Sequence, residues 1–300
     1  MDNPYKHSKI PIAHGVKEAK MFLEKYPDHY FCFYLAHKPE EDWDKSTSRV
    51  YMNQAFDNLI YLPVDIEKSD VTELEIFYQL VQGETRVIAI NHTQPHKSNV
   101  VLRRIVTNTE NTDTVFKEKE QLVGYDLNAP AFVEWLLGEI GSLKDKTVLL
   151  IGIGGTGEPI AKRFSSEGLN RLVLVNHSSR SELAIHLSEN IPTEYHSSLV
   201  GIDLPDNDLI VINAAGKEGA NEDSDLYTLL QTHTGNIFVD IRPHLDIPIV
   251  EKAKELGWSA FTGHGMNARN DYVMTEKLAA IMDEKPPSFE DFRKLVAAAS

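Results

Sequence analysis

Lys146-Thr-Val-Leu-Leu-Ile-Gly-Ile-Gly-Gly-Thr-Gly-Glu-Pro-Ile-Ala161 passes from a charged turn into five β-branched and leucine residues, then into closely spaced glycines, then into an apolar periodic segment. That order predicts strand, glycine turn, helix. In a dinucleotide-binding unit Gly152 permits the tight turn, Gly154 lets the backbone approach a pyrophosphate, and Gly157 lets the helix pack on the strand. Gly155 and Thr156 complete the turn. The helix N-terminus behind them offers N–H groups and a partial positive charge to a phosphate.

A chain of 300 residues suggests two domains of ordinary size, so the glycine turn accounts for one of them. A net charge of −15 without a basic run argues against a nucleic-acid surface and for a small-molecule ligand. The single cysteine, Cys32, lies in the apolar run Tyr30-Phe-Cys-Phe-Tyr-Leu35, which excludes an internal disulfide and a cysteine-rich metal site. We expect no metal. Residues 1–28 hold no signal-peptide core, and no apolar span is long enough for a membrane helix, so a cytoplasmic protein is expected. Oligomeric state cannot be read from these features.

Downstream of the turn, residues 172–175 form a second strand ending in Asn176-His177-Ser178-Ser179-Arg180. A carboxylate at this strand end would select NAD through the ribose 2′-hydroxyl, whereas a nearby arginine accommodates a 2′-phosphate. The absence of the carboxylate and the presence of Arg180 favour NADP, with NAD left open. Residues 208–213 and 237–240 supply further strands, ending in Asn213-Ala214-Ala-Gly216 and Asp240-Ile-Arg242. The first of these is either a small-residue turn or a close approach of backbone to cofactor. A short strand at 259–262 leads into Gly263-His-Gly-Met266-Asn-Ala-Arg-Asn270, followed by helices at about 271–282 and 289–299.

Upstream, helix 14–25, strand 30–35, strand 60–64, helix 72–82 and strand 85–90 establish a βαβ rhythm. Ser46-Thr-Ser48 precedes a helix carrying Tyr51 and Phe56, and its hydroxyls serve either as an N-cap or as a carboxylate clamp. Strand 85–90 runs into Asn91-His-Thr93-Gln-Pro-His-Lys97, an amide, a hydroxyl and an amine at a strand end, where open α/β sheets hold ligands. A hairpin is expected around residues 114–120 and a helix at 131–140, the latter bridging the domains.

This ordered set of motifs resembles the shikimate dehydrogenase family over roughly residues 30–283. In that family a Ser-x-Ser ahead of a helix binds the substrate carboxylate, matched here by Ser46 and Ser48 at the same distance from Asn53 and Phe56. The family's Asn-Val-Thr-x-Pro-x-Lys, which contacts substrate hydroxyls and supplies a catalytic lysine, is matched by Asn91, Thr93, Pro95 and Lys97. The resemblance assigns Asn111 or Asn108 to a further hydroxyl contact and Asn270 to the place of a terminal glutamine. It places Asn176, His177 and Ser178 near the 2′-phosphate, and Asn213, Ala214, Gly263 and Met266 along the cofactor. Asn128 stands where the family has a catalytic aspartate, and Asp126 lies two residues earlier. Pro243 replaces a tyrosine. Arg49 and Arg242 are added guanidinium groups that would suit a substrate with a second anionic group.

The resemblance implies an N-terminal open α/β substrate domain, residues 1–127 completed by 271–300, and a Rossmann-type, doubly wound dinucleotide-binding domain, residues 128–270. It implies an NADP-dependent oxidoreductase of aromatic amino acid biosynthesis acting on a small cyclic carboxylate, while charge and hydropathy predict neither a nucleic-acid nor a membrane partner. Lys97 would exchange the hydroxyl proton and stabilise the alkoxide. The alternatives are another carboxylate, such as quinate or an amino analogue, and a nucleotide-binding sensor without catalysis.

Overall fold

Short apolar runs alternating with amphipathic segments fold as strands and crossover helices, the arrangement that buries both faces of a parallel sheet. The computed structural model describes residues 3–5, 10–39, 52–93, 96, 100–106, 112–215, 225–242 and 246–297. The chain divides into two compact units, Met1–Leu127 with Asn270–Ser300, and Asn128–Arg269.

In the first unit the elements are β1 (Ala13–His14), α1 (Gly15–Lys25), β2 (Tyr30–Ala36), β3 (Leu59–Asp65), α2 (Val71–Gly83), β4 (Val87–His92), α3 (Val100–Ile105), β5 (Thr114–Glu118) and β6 (Gln121–Tyr125). Their sheet has the order β1-β3-β2-β4-β5-β6. The first four strands in that order are parallel neighbours, and β5 with β6 closes the edge as an antiparallel hairpin. β2 and β4 are buried almost end to end, because helices cover a parallel sheet on both faces and leave no polar side. Asp70 caps α2 by accepting the Glu73 N–H at 2.9 Å. Cys32 lies fully buried in this core, and burial pushes its thiol far above the usual thiol range.

The second unit begins at α4 (Asn128–Ile140) and continues through β7 (Thr147–Ile151), α5 (Gly157–Phe164), β8 (Arg171–Val175), α6 (Ser181–Leu187), β9 (Thr193–His196), β10 (Leu209–Asn213), α7 (Asp225–Thr232), β11 (Ile237–Asp240), α8 (Pro248–Glu255) and β12 (Ser259–Thr262). All its strand pairs are parallel, in the order β12-β11-β10-β7-β8-β9. Chain direction across the sheet reverses between β7 and β10, so the carboxyl ends of these neighbours flank a switch point. Side chains alternate across the pleat. Val148, Leu150, Leu172 and Leu174 join one core with Phe132 of α4 and Ile160 of α5, whereas Leu149, Val173 and Val211 join another with Leu229 of α7 and Val250 of α8. Burying each such side chain contributes about 1.5–3 kcal/mol.

Two helices start earlier than the sequence suggests. α4 opens at Asn128 rather than 131, since Pro130 lies in a first turn, where its missing N–H costs nothing. α9 (His264–Met282) opens at His264 rather than 271 and carries both Met266 and Asn270. Gly265 in its first turn reads as loop, yet a Cβ there would collide with the Trp135 indole. The last helix is α10 (Phe289–Ala297). Among the described residues no helix is long and apolar enough to cross a membrane.

Candidate functional site

The glycine turn is built from backbone against backbone. Gly152 leaves β7 with φ of +90°, and a Cβ there would stand 2.5 Å from the Ala215 nitrogen. A Cβ at Gly157 would strike the Gly152 carbonyl oxygen. Gly154 is the reverse case, because a Cβ there would meet nothing within 4 Å. The turn is therefore closed towards the sheet and open outward, on the side where a pyrophosphate would lie. Thr156 provides no side-chain cap to α5, so the leading N–H groups of that helix remain suited to an anion. Gly155 and Thr156 are the exposed and half-exposed rim of the turn.

A pocket of about 550 Å³ opens beside the turn at the carboxyl ends of β7, β8 and β10. Its lining includes Gly154, Asn176, His177, Ser198, Ala214 and Leu226. The turn and this pocket fit a dinucleotide in shape and in donor chemistry. The Asn176 amide is occupied by its own surroundings: its oxygen accepts the Ile153 N–H at 2.9 Å, and its nitrogen donates to the Ser178 carbonyl and hydroxyl at 2.8 and 2.9 Å. The side chain thus ties the glycine turn to the end of β8. Tyr195 supports the same corner by donating its hydroxyl to the Asn176 carbonyl at 2.8 Å. Sequence reading missed Tyr195, which lies on an edge strand with no apolar alternation to reveal it. His177, Ser178 and Arg180 are exposed.

On the other side of the switch point the strand ends close on themselves. Asn213 donates to Asp240 Oδ2 at 2.8 Å and accepts the Ala215 N–H at 3.2 Å. Asp240 is fully buried and receives Arg242 Nε and Nη2, each at 2.8 Å. Those hydrogen bonds hold the guanidinium still more firmly protonated than a free arginine. Arg242, which from sequence would suit a second anionic group if it faced the cleft, is paired with the carboxylate two residues back. A Cβ on Gly263 would collide with the Ile241 carbonyl, and Met266 is 3% exposed within the core that holds Phe132.

In the first unit, β4 delivers Asn91 and His92 to its carboxyl end. Asn91 Oδ1 accepts the Tyr61 hydroxyl at 3.3 Å, and its nitrogen donates to Thr114 Oγ1 at 3.0 Å. The Thr114 hydroxyl in turn donates to Asp113 Oδ1 at 2.9 Å, and Asp113 Oδ2 accepts the Leu127 N–H at 3.0 Å. This buried chain links β4, β5 and the segment containing the half-buried Asp126 and, at the start of α4, Asn128. Sequence reading assigns Asp113 no role and Thr114 only a place in a hairpin. Thr93 is half-buried, with its N–H on the Leu35 carbonyl at 3.2 Å and its own carbonyl receiving the His96 N–H at 2.7 Å. The buried His96 donates Nε2 to the Ile66 carbonyl at 2.8 Å, and desolvation lowers its pKa, keeping it neutral. Asn270 is buried on α9. Ser46, Ser48, Arg49, Lys97, Asn108, Asn111 and Pro243 lie outside the described residues. No group of three or more metal-ligating side chains gathers among the described residues.

Strand order, switch point and glycine turn together give the second unit a Rossmann-type, doubly wound fold. Residues 134–247 match the family model described as shikimate / quinate 5-dehydrogenase. A shikimate dehydrogenase (NADP(+)) of Lysinibacillus sphaericus is 29% identical over 194 residues, spanning 59% of this chain and 67% of the relative. The solved shikimate dehydrogenase of Aquifex aeolicus shares the fold at a TM-score of 0.69 and 19% identity, covering 89% of this chain and 97% of that one. A quinate dehydrogenase of Corynebacterium glutamicum in complex with NAD shares it at 0.68 and 16%, covering 90% and 99%. The matched domain, the curated relative and the solved structures agree in likening this chain to shikimate and quinate dehydrogenases.

Proposed function

We propose that this chain is an NADP-dependent dehydrogenase of the shikimate type, exchanging a hydride between the nicotinamide and a secondary alcohol or ketone on a small cyclic carboxylate. The observation that carries the reading is the glycine turn, closed towards the sheet at Gly152 and Gly157 and open at Gly154, in a chain that also holds Asn91, Thr93 and Lys97 at the family's spacing. When bound, the nicotinamide supplies or accepts the hydride.

The chain's own residues do the rest. Ser46 and Ser48 hold the substrate carboxylate by hydroxyl donation. Thr93, Asn111 and Asn270 meet substrate hydroxyls. The Asn91 amide, already shared between Tyr61 and Thr114, acts chiefly by holding the end of β4 in place. Lys97 takes the proton from the reacting hydroxyl, or returns it to the ketone, and its charge opposes the developing alkoxide. Asn128 cannot exchange that proton, so its part is orientation, and Asp126 is the nearest carboxylate in sequence to assist. On the cofactor side, Gly152, Gly154, Gly155, Thr156 and Gly157 receive the pyrophosphate, His177, Ser178 and Arg180 the ribose end, and Ala214 and Gly263 the backbone-lined remainder. Asn176, Asn213 and Met266 shape that surface from behind.

The test is a fluorescence titration with NADPH followed by an oxidation assay on shikimate, quinate and amino analogues. NADPH binding with turnover on one of them is expected. Lys97→Ala should lower turnover about 10²- to 10⁴-fold and leave NADPH affinity unchanged; full activity in that variant would overturn the mechanism. Asn128 in place of a carboxylate favours one second reading, a sensor that binds nucleotide without turnover. NADPH binding with no oxidation of any compound would select it.

A further inference from the structure

Glu158 stands in the first turn of α5, directly behind the glycine turn. Its Oε1 pairs with Lys162 Nζ at 3.0 Å, and its Oε2 lies 3.8 Å from Arg180 Nη1. All three line a groove of about 530 Å³ whose walls also carry Ser179, Glu182 and His186. Arg180 follows the end of β8, where an open parallel sheet of this order holds the adenosine ribose. Two carboxylates and two cations line the groove, so Arg180 already has a carboxylate neighbour. A 2′-phosphate drawn to Arg180 would share it with Glu158, a like charge. A 2′-hydroxyl meets no such opposition, and the same carboxylate can accept its proton. A carboxylate that the strand end lacks in sequence thus stands on the neighbouring helix, 3.8 Å from Arg180.

We propose that Glu158 sets the cofactor preference, weakening discrimination for NADP(H) and admitting NAD(H). This rests on the reading of the second unit as a dinucleotide site. Its contribution to the 2′ position separates from its effect on the pyrophosphate, because both nucleotides carry a pyrophosphate and only one carries the 2′-phosphate.

The experiment is a fluorescence titration of the full chain, and of its Glu158→Gln and Glu182→Gln variants, with NADPH and with NADH. Glutamine keeps the size and polarity of the side chain, and thermal unfolding of each variant confirms the fold. Glu158→Gln should raise the NADPH-to-NADH affinity ratio roughly three- to tenfold, with a smaller rise for Glu182→Gln. A ratio unchanged or lowered in Glu158→Gln, with both nucleotides still bound, overturns the proposal. An equal rise in the two variants also overturns it, since the effect would then be net charge alone. If the unaltered chain binds neither nucleotide, the dinucleotide reading itself fails, and this proposal with it.

Discussion

Two ends of one sheet behave in opposite ways. At β8 the chain leaves the strand into exposed His177 and Ser178 beside an open pocket, whereas at β10 and β11 it leaves into Asn213, Asp240 and Arg242, which satisfy one another. Both ends are polar in sequence. The difference lies in whether the polar groups have partners within the strand ends themselves: one end offers unspent hydrogen-bonding capacity to a visitor, and the other spends it on holding a backbone surface still.

This contrast can be broken at its closed end first. Asp240→Asn leaves Arg242 half-buried without its anion, and the expected loss is about 3 kcal/mol in chemical denaturation. An unchanged midpoint would show that the pair does not close the strand ends. Asn176→Ala tests the brace between the open end and the glycine turn, since it strips the Ile153 N–H of its partner. A loss of about 1–2 kcal/mol is expected, together with weaker NADPH binding, because the turn relaxes. Weaker binding at full stability would move Asn176 from bracing to direct contact. His177→Ala should have the smallest structural effect, within about 0.5 kcal/mol, while NADPH affinity falls roughly two- to tenfold. Destabilisation as large as that of Asn176→Ala would mean the open end is structural too.

Much of this architecture is legible in the chain, for reasons that can be named. Strands of a parallel sheet covered on both faces are unbroken apolar runs, and Val148 to Ile151 or Phe31 to Leu35 cannot be mistaken for loop. The glycine turn is legible because each glycine meets a separate steric demand at a set spacing. What escapes is structure whose cause lies far away in sequence. Gly265 reads as a break, and only Trp135, on another helix, explains why a helix keeps a glycine there. β9, whose sequence is Thr-Glu-Tyr-His, is an edge strand with little to bury, so it leaves no pattern. The short helices α6, α7 and α8 went unassigned because two turns carry too few apolar repeats to stand out. Among candidate site residues Asn91, Asn176 and Asn213 stand at polar strand ends, and each serves the backbone or a neighbouring side chain. An asparagine has the same letters whether its amide faces a ligand or its own fold.

The alternation along β7 and β8 has a consequence for how this unit can change over time. Leu149 and Leu150 are adjacent in the chain but belong to different cores, separated by the thickness of the sheet. Substitutions facing opposite sides share few partners, so their effects should add. The sheet works as a partition between two interiors. A lineage can rework the helices on one side, step by step, while the other side continues to hold its strands in register.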